Sequence, residues 1–231
     1  MPKKILAIIG GTYIFGLEKV SIDVLEGLKK KGHTLHCMVS GWNDGDFIKQ
    51  LNTIQIPYTA IKLGWYYITK LLWSLDSLVH YPKAIIDFIN LKRRIKPELI
   101  YIYSYRQIML LYPFFNNNII YHVQDPNAES KQARFFLKMI DKKVKSYIAP
   151  SNYIKEDLIK CGIAANKIQL IYNGTEILPA IDEEANEKFT IGIIGQIIER
   201  KGHLQLIEAL HILHQKNIFV YLKILILKIW F

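Results

Sequence analysis

Cysteine is scarce in this chain. Cys37 and Cys161 are the only two in 231 residues, far apart and outside any CxxC spacing, which excludes a disulfide framework and a zinc site of that kind. A reducing, cytoplasmic compartment is the expectation. A membrane-spanning run is missing as well: the longest stretch without formal charge, Gln107 to Gln124, contains Pro113, three asparagines and His122. The apolar run Ile5 to Ile9 is too short for a secretory leader, and Gly10 and Gly11 end it without a small-residue cleavage pattern. Acidic residues are the minority charge, 20 against 30 Lys and Arg, so the chain carries a net +10. That imbalance implies an anionic partner or surface.

Hydrophobic residues make up 51% of the sequence and charged residues 22%, enough for a real core and too apolar for a disordered tail. The positive charge is uneven. Residues 1–145 hold 21 basic and 11 acidic side chains, a net of 21 − 11 = +10, whereas residues 146–231 hold nine of each. The first part alone generates the field.

Lys4 to Ile9 is a continuous apolar run bounded by glycines, the pattern of a buried parallel strand. Leu17, Val20, Val24, Leu25 and Leu28 follow at helical spacing, with Lys29 to Lys31 at the helix C-terminus and Gly32 as its stop. The alternation continues. Strands are predicted at His33–Val39, Pro57–Lys62, Glu98–Tyr103, Asn118–Val123, Ser146–Ala149 and Lys167–Tyr172. Helices are predicted at Asp44–Leu51, over a long aromatic region Tyr66–Arg94, at Glu129–Val144, and from a Ser151 or Asn152 cap to Cys161. Alternation of this kind predicts an α/β fold, a Rossmann-like doubly wound parallel sheet covered on both faces. This N-terminal domain is placed at 1–175, and an acidic stretch without a helical apolar face makes 176–188 a linker. At 189–231 a second Rossmann-like unit begins, with a strand at Phe189–Ile194, the glycines Gly195 and Gly202, a helix, and an apolar segment from Phe219. A lone strand-helix-strand unit leaves apolar surface exposed, so this unit is read as incomplete.

Gly10, Gly11 and Gly16 lie where the first strand meets its helix, where glycines admit a ligand and a helix N-terminus offers amides to an anion. The spacing is neither GxGxxG nor GxxxxGK, since Leu17 and Glu18 follow Gly16, so both a ligand-binding loop and a plain tight turn remain open. Arg200 and Lys201 precede Gly202 at a helix start, where positive charge opposes the macrodipole and is better explained by a diphosphate than by structure. His122, Gln124 and Asp125 end a strand at the carboxyl edge where parallel sheets collect ligands, a place that suits either a structural or a catalytic histidine. The segment Ile61 to Tyr105 interleaves aromatics such as Trp65 and Trp73 with Lys and Arg, which fits either a face for an anionic membrane or ordinary core aromatics beside a solvated charged face. No nucleic-acid-binding motif accompanies the charge, so no nucleic-acid partner is expected.

Together these segments resemble the family 4 glycosyltransferases, whose GT-B fold faces two Rossmann-like domains across a cleft. The resemblance runs through Lys4 to Gly16 with Leu17-Glu18-Lys19-Val20 after it, Lys31-Gly32-His33, Gln124-Asp125-Pro126-Asn127-Ala128, Pro150-Ser151-Asn152 to Gly162 with Ile171-Tyr172-Asn173-Gly174, and Gly195 to Gly202. It implies retaining transfer of a sugar from a UDP- or GDP-linked donor, with no cofactor or required metal, to a glycan or glycolipid acceptor in envelope polysaccharide synthesis. It implies an acceptor-side N-terminal domain, a donor-side second domain, and peripheral docking on the inner face of the plasma membrane. Gly10, Gly11 and Gly16 match the loop that approaches the donor's phosphates and sugar, and Lys201 matches the diphosphate-binding lysine. The usual loop arginine is Gln196 here, which makes one diphosphate contact neutral unless Arg200 substitutes, and the catalytic-edge position falls on Gln124 with His122 two residues before it. Strand alternation lets both point the same way. The family's pair of glutamates in the donor domain has no counterpart before Phe231, so a premature stop or frameshift, with little turnover from the 231 residues alone, is the expectation. The alternative reading is a non-catalytic module that binds a membrane or an acceptor.

Overall fold

A computed structural model describes residues 1–64, 66, 71–174, 188–195 and 197–226. The chain divides into two compact units, Met1–Glu176 and Ile177–Phe231.

The first unit alternates strand and helix: β1 Lys4–Ile9, α1 Gly16–Lys30, β2 Thr34–Ser40, α2 Asp46–Thr53, β3 Tyr58–Ile61, α3 Leu71–Ile95, β4 Leu99–Ile102, α4 Tyr105–Leu110, β5 Ile119–His122, α5 Lys131–Ile140, β6 Val144–Ala149, α6 Asn152–Lys160 and β7 Ile168–Leu170. The seven strands form one sheet in the order β3-β2-β1-β4-β5-β6-β7. Every pairing in it is parallel. The chain winds outward from β1 to β3, then crosses back to lay β4 on the other side of β1. That reversal opens a crevice beyond the carboxyl ends of β1 and β4, the position at which such sheets bind ligands.

Period-2 alternation explains how both faces are covered. In β1, Leu6 and Ile8 face a core completed by Phe88 and Leu91 of α3, Ile108 of α4, Leu137 of α5 and Leu158 of α6. Ile5, Ala7 and Ile9 face the other way, onto Ile22 and Leu25 of α1 and Phe47 and Leu51 of α2. A strand buried on both sides reads as a continuous apolar run, which is why β1 was legible.

Two helices depart from the sequence expectation. The helix predicted to reach Val144 ends at Ile140, and Val144 instead opens β6, paired with Ile119. Leu137, Ile140 and Val144 share a helical spacing, but a turn at 141–143 redirects the chain. The short helix α4 was not anticipated. It has only six residues, too few for a periodic signal. The aromatic helix predicted from Tyr66 is described from Leu71 onward.

In the second unit β8 (Thr190–Gly195) and β9 (Tyr221–Ile226) pair in parallel, joined through a single 3-10 turn at Glu199–Lys201 and helix α7 (His203–Gln215). Ile194, Leu204, Ile207, Ile212 and Phe219 are exposed. The linker expected at 176–188 lies, except for Lys188, outside the described residues.

Candidate functional site

A cavity of about 580 Å³ opens at the carboxyl ends of β1 to β4. Gly10 and Gly11 form its floor where β1 ends, and Tyr103 and Ser104 enter from the end of β4. Trp42 and Trp73 supply aromatic wall, and Glu18, Asp76, Ser77 and Gln107 supply polar groups. Volume and mixed lining fall in the range of small-molecule sites.

At the two glycines, neighbouring side-chain ends lie over the backbone, where a Cβ would have to displace them. A Cβ on Gly10 would collide with the Gln107 amide, and one on Gly11 with the Glu18 carboxylate. Gly16, by contrast, begins α1 with open space around it and does not line the cavity.

Glu18 changes the chemistry expected of this loop. Its Oε2 accepts the Phe15 backbone N–H at 3.0 Å, so α1 is capped from its own first turn. The carboxylate is buried, and desolvation raises its pKa against the lowering effect of that backbone bond. A carboxylate thus stands at the N-terminus of α1, at the mouth of the cavity. Nearby, Gln107 Oε1 is buried with no hydrogen-bond partner among the described residues.

His122, the last residue of β5, and Gln124, two residues beyond it, do meet. Gln124 Nε2 lies 2.8 Å from His122 Nε2. The His122 ring is 3% exposed, and burial lowers its pKa to about 4, so it is neutral at pH 7. Its Nδ1 lies 2.6 Å from the Tyr101 hydroxyl, which donates to Tyr103 at 2.9 Å. Tyr103 stacks on the imidazole with centroids 5.1 Å apart and also lines the cavity. Burial raises the Tyr103 pKa to about 12. Neither His122 nor Gln124 lines the cavity itself. They reach it through Tyr103.

The loop after Gln124 is pinned by Asp157 of α6. Its Oδ2 accepts the Asn127 N–H at 2.7 Å and its Oδ1 the Ala128 N–H at 3.0 Å. Ser151 caps that helix by accepting the Ile154 N–H. Asn173 Nδ2 donates to Gln124 Oε1 at 3.3 Å, so the Asn-Gly turn also closes on this edge.

In the second unit the Lys201 stem lies beside the end of β8, 3.7 Å from where a Cβ on Gly195 would stand. Gly202 follows with φ 74°, a left-handed backbone that glycine adopts without strain, and starts α7. Gln196 lies outside the described residues, and of Arg200 only the backbone is described.

The sequence reading missed Tyr101, Tyr103, Gln107 and Asp157. Nothing local marks the tyrosines, which read as strand residues. Asp157 carries a weak signal, an acid on the buried side of a helix that Ser151 starts.

A second hollow, about 320 Å³, sits between α5 and α6 and is lined by Lys131, Arg134, Phe135, Lys138, Lys160 and Cys161. Among the described residues no group of His, Cys, Asp and Glu could hold a metal ion, and no helix is long and apolar enough to cross a membrane.

The family model for Glycosyltransferase Family 4 matches residues 14–177. A curated relative, an uncharacterized 42.6 kDa protein in the cps region of Klebsiella pneumoniae, is 24% identical over 225 residues, covering 82% of this chain. This chain spans 60% of that relative's length. Among solved structures, Anabaena HepE in complex with UDP-glucose is similar with a TM-score of 0.64 and 15% identity, over 98% of this chain and 70% of that one. The lipopolysaccharide outer core galactosyltransferase WaaB matches with a TM-score of 0.61 and 17% identity, over 95% of this chain and 60% of that one. A glycosyltransferase from Rickettsia africae gives 0.64 and 18%, over 96% and 60%. The shared feature is the fold, a Rossmann-like α/β architecture of the GT-B kind.

Proposed function

The chain belongs to glycosyltransferase family 4, and from that premise we propose that it serves a retaining sugar transfer from a UDP- or GDP-linked donor, its first unit holding the acceptor. The observation that carries this reading is the cavity at the β1/β4 crevice, where Trp42 and Trp73 offer faces for sugar C–H groups while Glu18 and Asp76 offer acceptors for hydroxyls. Gly10 and Gly11 bring backbone to that cavity. Gln124 and His122 form the catalytic edge. In the second unit, Lys201, with Gln196 and Arg200 near it in sequence, binds the donor diphosphate and stabilises charge on the leaving group. The acceptor is a glycan or glycolipid, and the cps-region relative supports a role in envelope polysaccharide. No metal or cofactor is required by this scheme.

Ligand binding tests the reading without relying on turnover. Tryptophan fluorescence should respond saturably to glycan or glycolipid acceptors, and Trp42→Ala should weaken that response about tenfold, the effect of roughly 1.4 kcal/mol of lost stacking. A folded protein that answers to no glycan would contradict it.

A second reading, peripheral docking on an anionic bilayer at the inner face of the plasma membrane, is favoured by the α5–α6 hollow. Lys131, Arg134, Lys138 and Lys160 surround it, and Phe135 beside them is 64% exposed. Cations around an exposed aromatic suit an interface with anionic lipid.

A further inference from the structure

The hydrogen bonds around His122 have one consistent polarity. Gln124 Nε2–H donates to His122 Nε2, so that nitrogen carries no proton. The ring's proton then sits on Nδ1 and is donated to the Tyr101 hydroxyl. Tyr101 donates onward to Tyr103. Beyond Tyr103, the Ser21 hydroxyl of α1 donates to the Leu17 carbonyl at 2.7 Å. At the outer end Asn173 donates to the Gln124 carbonyl. Gln124, His122 and Tyr101 each both accept and donate, and the order among them cannot be reversed at one link alone. Tyr101 and His122 are more than nine-tenths buried and do not line the cavity, so neither can turn to water instead.

We propose that Tyr101, Tyr103 and His122 are positioning residues that hold the Gln124 amide with one N–H on His122 and its carbonyl toward Asn173, making this edge a hydrogen-bonding element that neither gives nor takes a proton. The assignment of Gln124 to the reacting edge rests on the glycosyltransferase reading; the bond chain stands apart from it. An amide has no proton to transfer at neutral pH, and the imidazole behind it has both nitrogens engaged in a buried site. The titratable groups around these rings are Tyr101 on β4, Tyr103 just after it, Cys37 on β2 and Asp23 on α1, the last two acting on Tyr103. The second Gln124 N–H has no partner among the described residues and is the donor this edge can offer a ligand oxygen.

Side-chain ¹⁵N NMR of the whole chain tests the proposal, with the His122 signals assigned from a His122→Asn variant. His122 should be the neutral Nδ1–H tautomer throughout pH 5–8. Gln124→Glu places acceptors alone beside Nε2, so the proton should move from Nδ1 to Nε2. Gln124 is half-buried at the strand end, so this variant keeps the fold, and Tyr101→Phe should weaken the Nδ1–H preference in the same direction. An Nε2–H or doubly protonated His122 in the unmodified protein at pH 7, or an unchanged tautomer in Gln124→Glu, would overturn it. Failure of the glycosyltransferase reading would show separately, as absent glycan binding with the tautomer intact.

Discussion

At the scale of single residues, the site is built by side chains that deny space or donate bonds rather than by conspicuous motifs. Gly10 and Gly11 were legible because a strand-to-helix turn exposes glycine. Glu18, which caps the helix that this turn starts, was not, because its role depends on a carboxylate folding back over Gly11. Gly11→Ala should push that carboxylate off the Phe15 amide and cost about 1 kcal/mol, the worth of a helix cap, measured by urea unfolding at unchanged m-value. His122 gives a pH signature. Its folded pKa of about 4 lies below the 6.5 of a free imidazole, so between these values the unfolded chain binds the extra proton. Its contribution is therefore full above pH 6.5 and is lost progressively as pH falls toward 4, a change of about 3 kcal/mol. His36, also lowered by burial, acts in the same direction, and Glu18, whose pKa is raised, acts in the opposite one. Comparing unfolding of the unmodified protein with His122→Asn across pH 4–7 isolates the effect: the variant should show the flatter dependence, and parallel curves would contradict it.

At the scale of elements, the strands were legible and two helices were not. Ile5 to Ile9 announces β1 because burial on both faces removes polar residues, whereas Tyr101 and Tyr103, equally buried, carry hydroxyls whose partners come from β5 and α1. α4 escaped because six residues cannot show a 3.6-residue period, and α5 was overextended because Val144 continues its apolar spacing while pairing with β5. The loop from Gln124 to Ser130 depends on α6. Asp157 satisfies two of its backbone amides, so Asp157→Ala leaves both without that acceptor and should cost about 3 kcal/mol. Hydrogen exchange at Asn127 and Ala128 should accelerate before global unfolding does. Unchanged protection at those two amides would remove Asp157 from this role.

At the scale of the whole molecule, the net +10 acquires a place. It is the α5–α6 hollow, where four cations stand around Phe135. Reversing Lys131 and Lys138 to Glu should abolish sedimentation with anionic vesicles at low salt while leaving neutral vesicles unbound, as in the parent. Retained binding would move the docking face elsewhere. The crevice between β1 and β4 carries the larger claim, since strand order alone puts it where Gly10, Gly11 and Tyr103 meet. Backbone chemical-shift mapping during titration with a glycan acceptor tests that claim most directly. The account predicts perturbations centred on Gly10, Gly11, Tyr103, Ser104 and Gln107. Saturable binding that shifts other residues and leaves those five unmoved would contradict it.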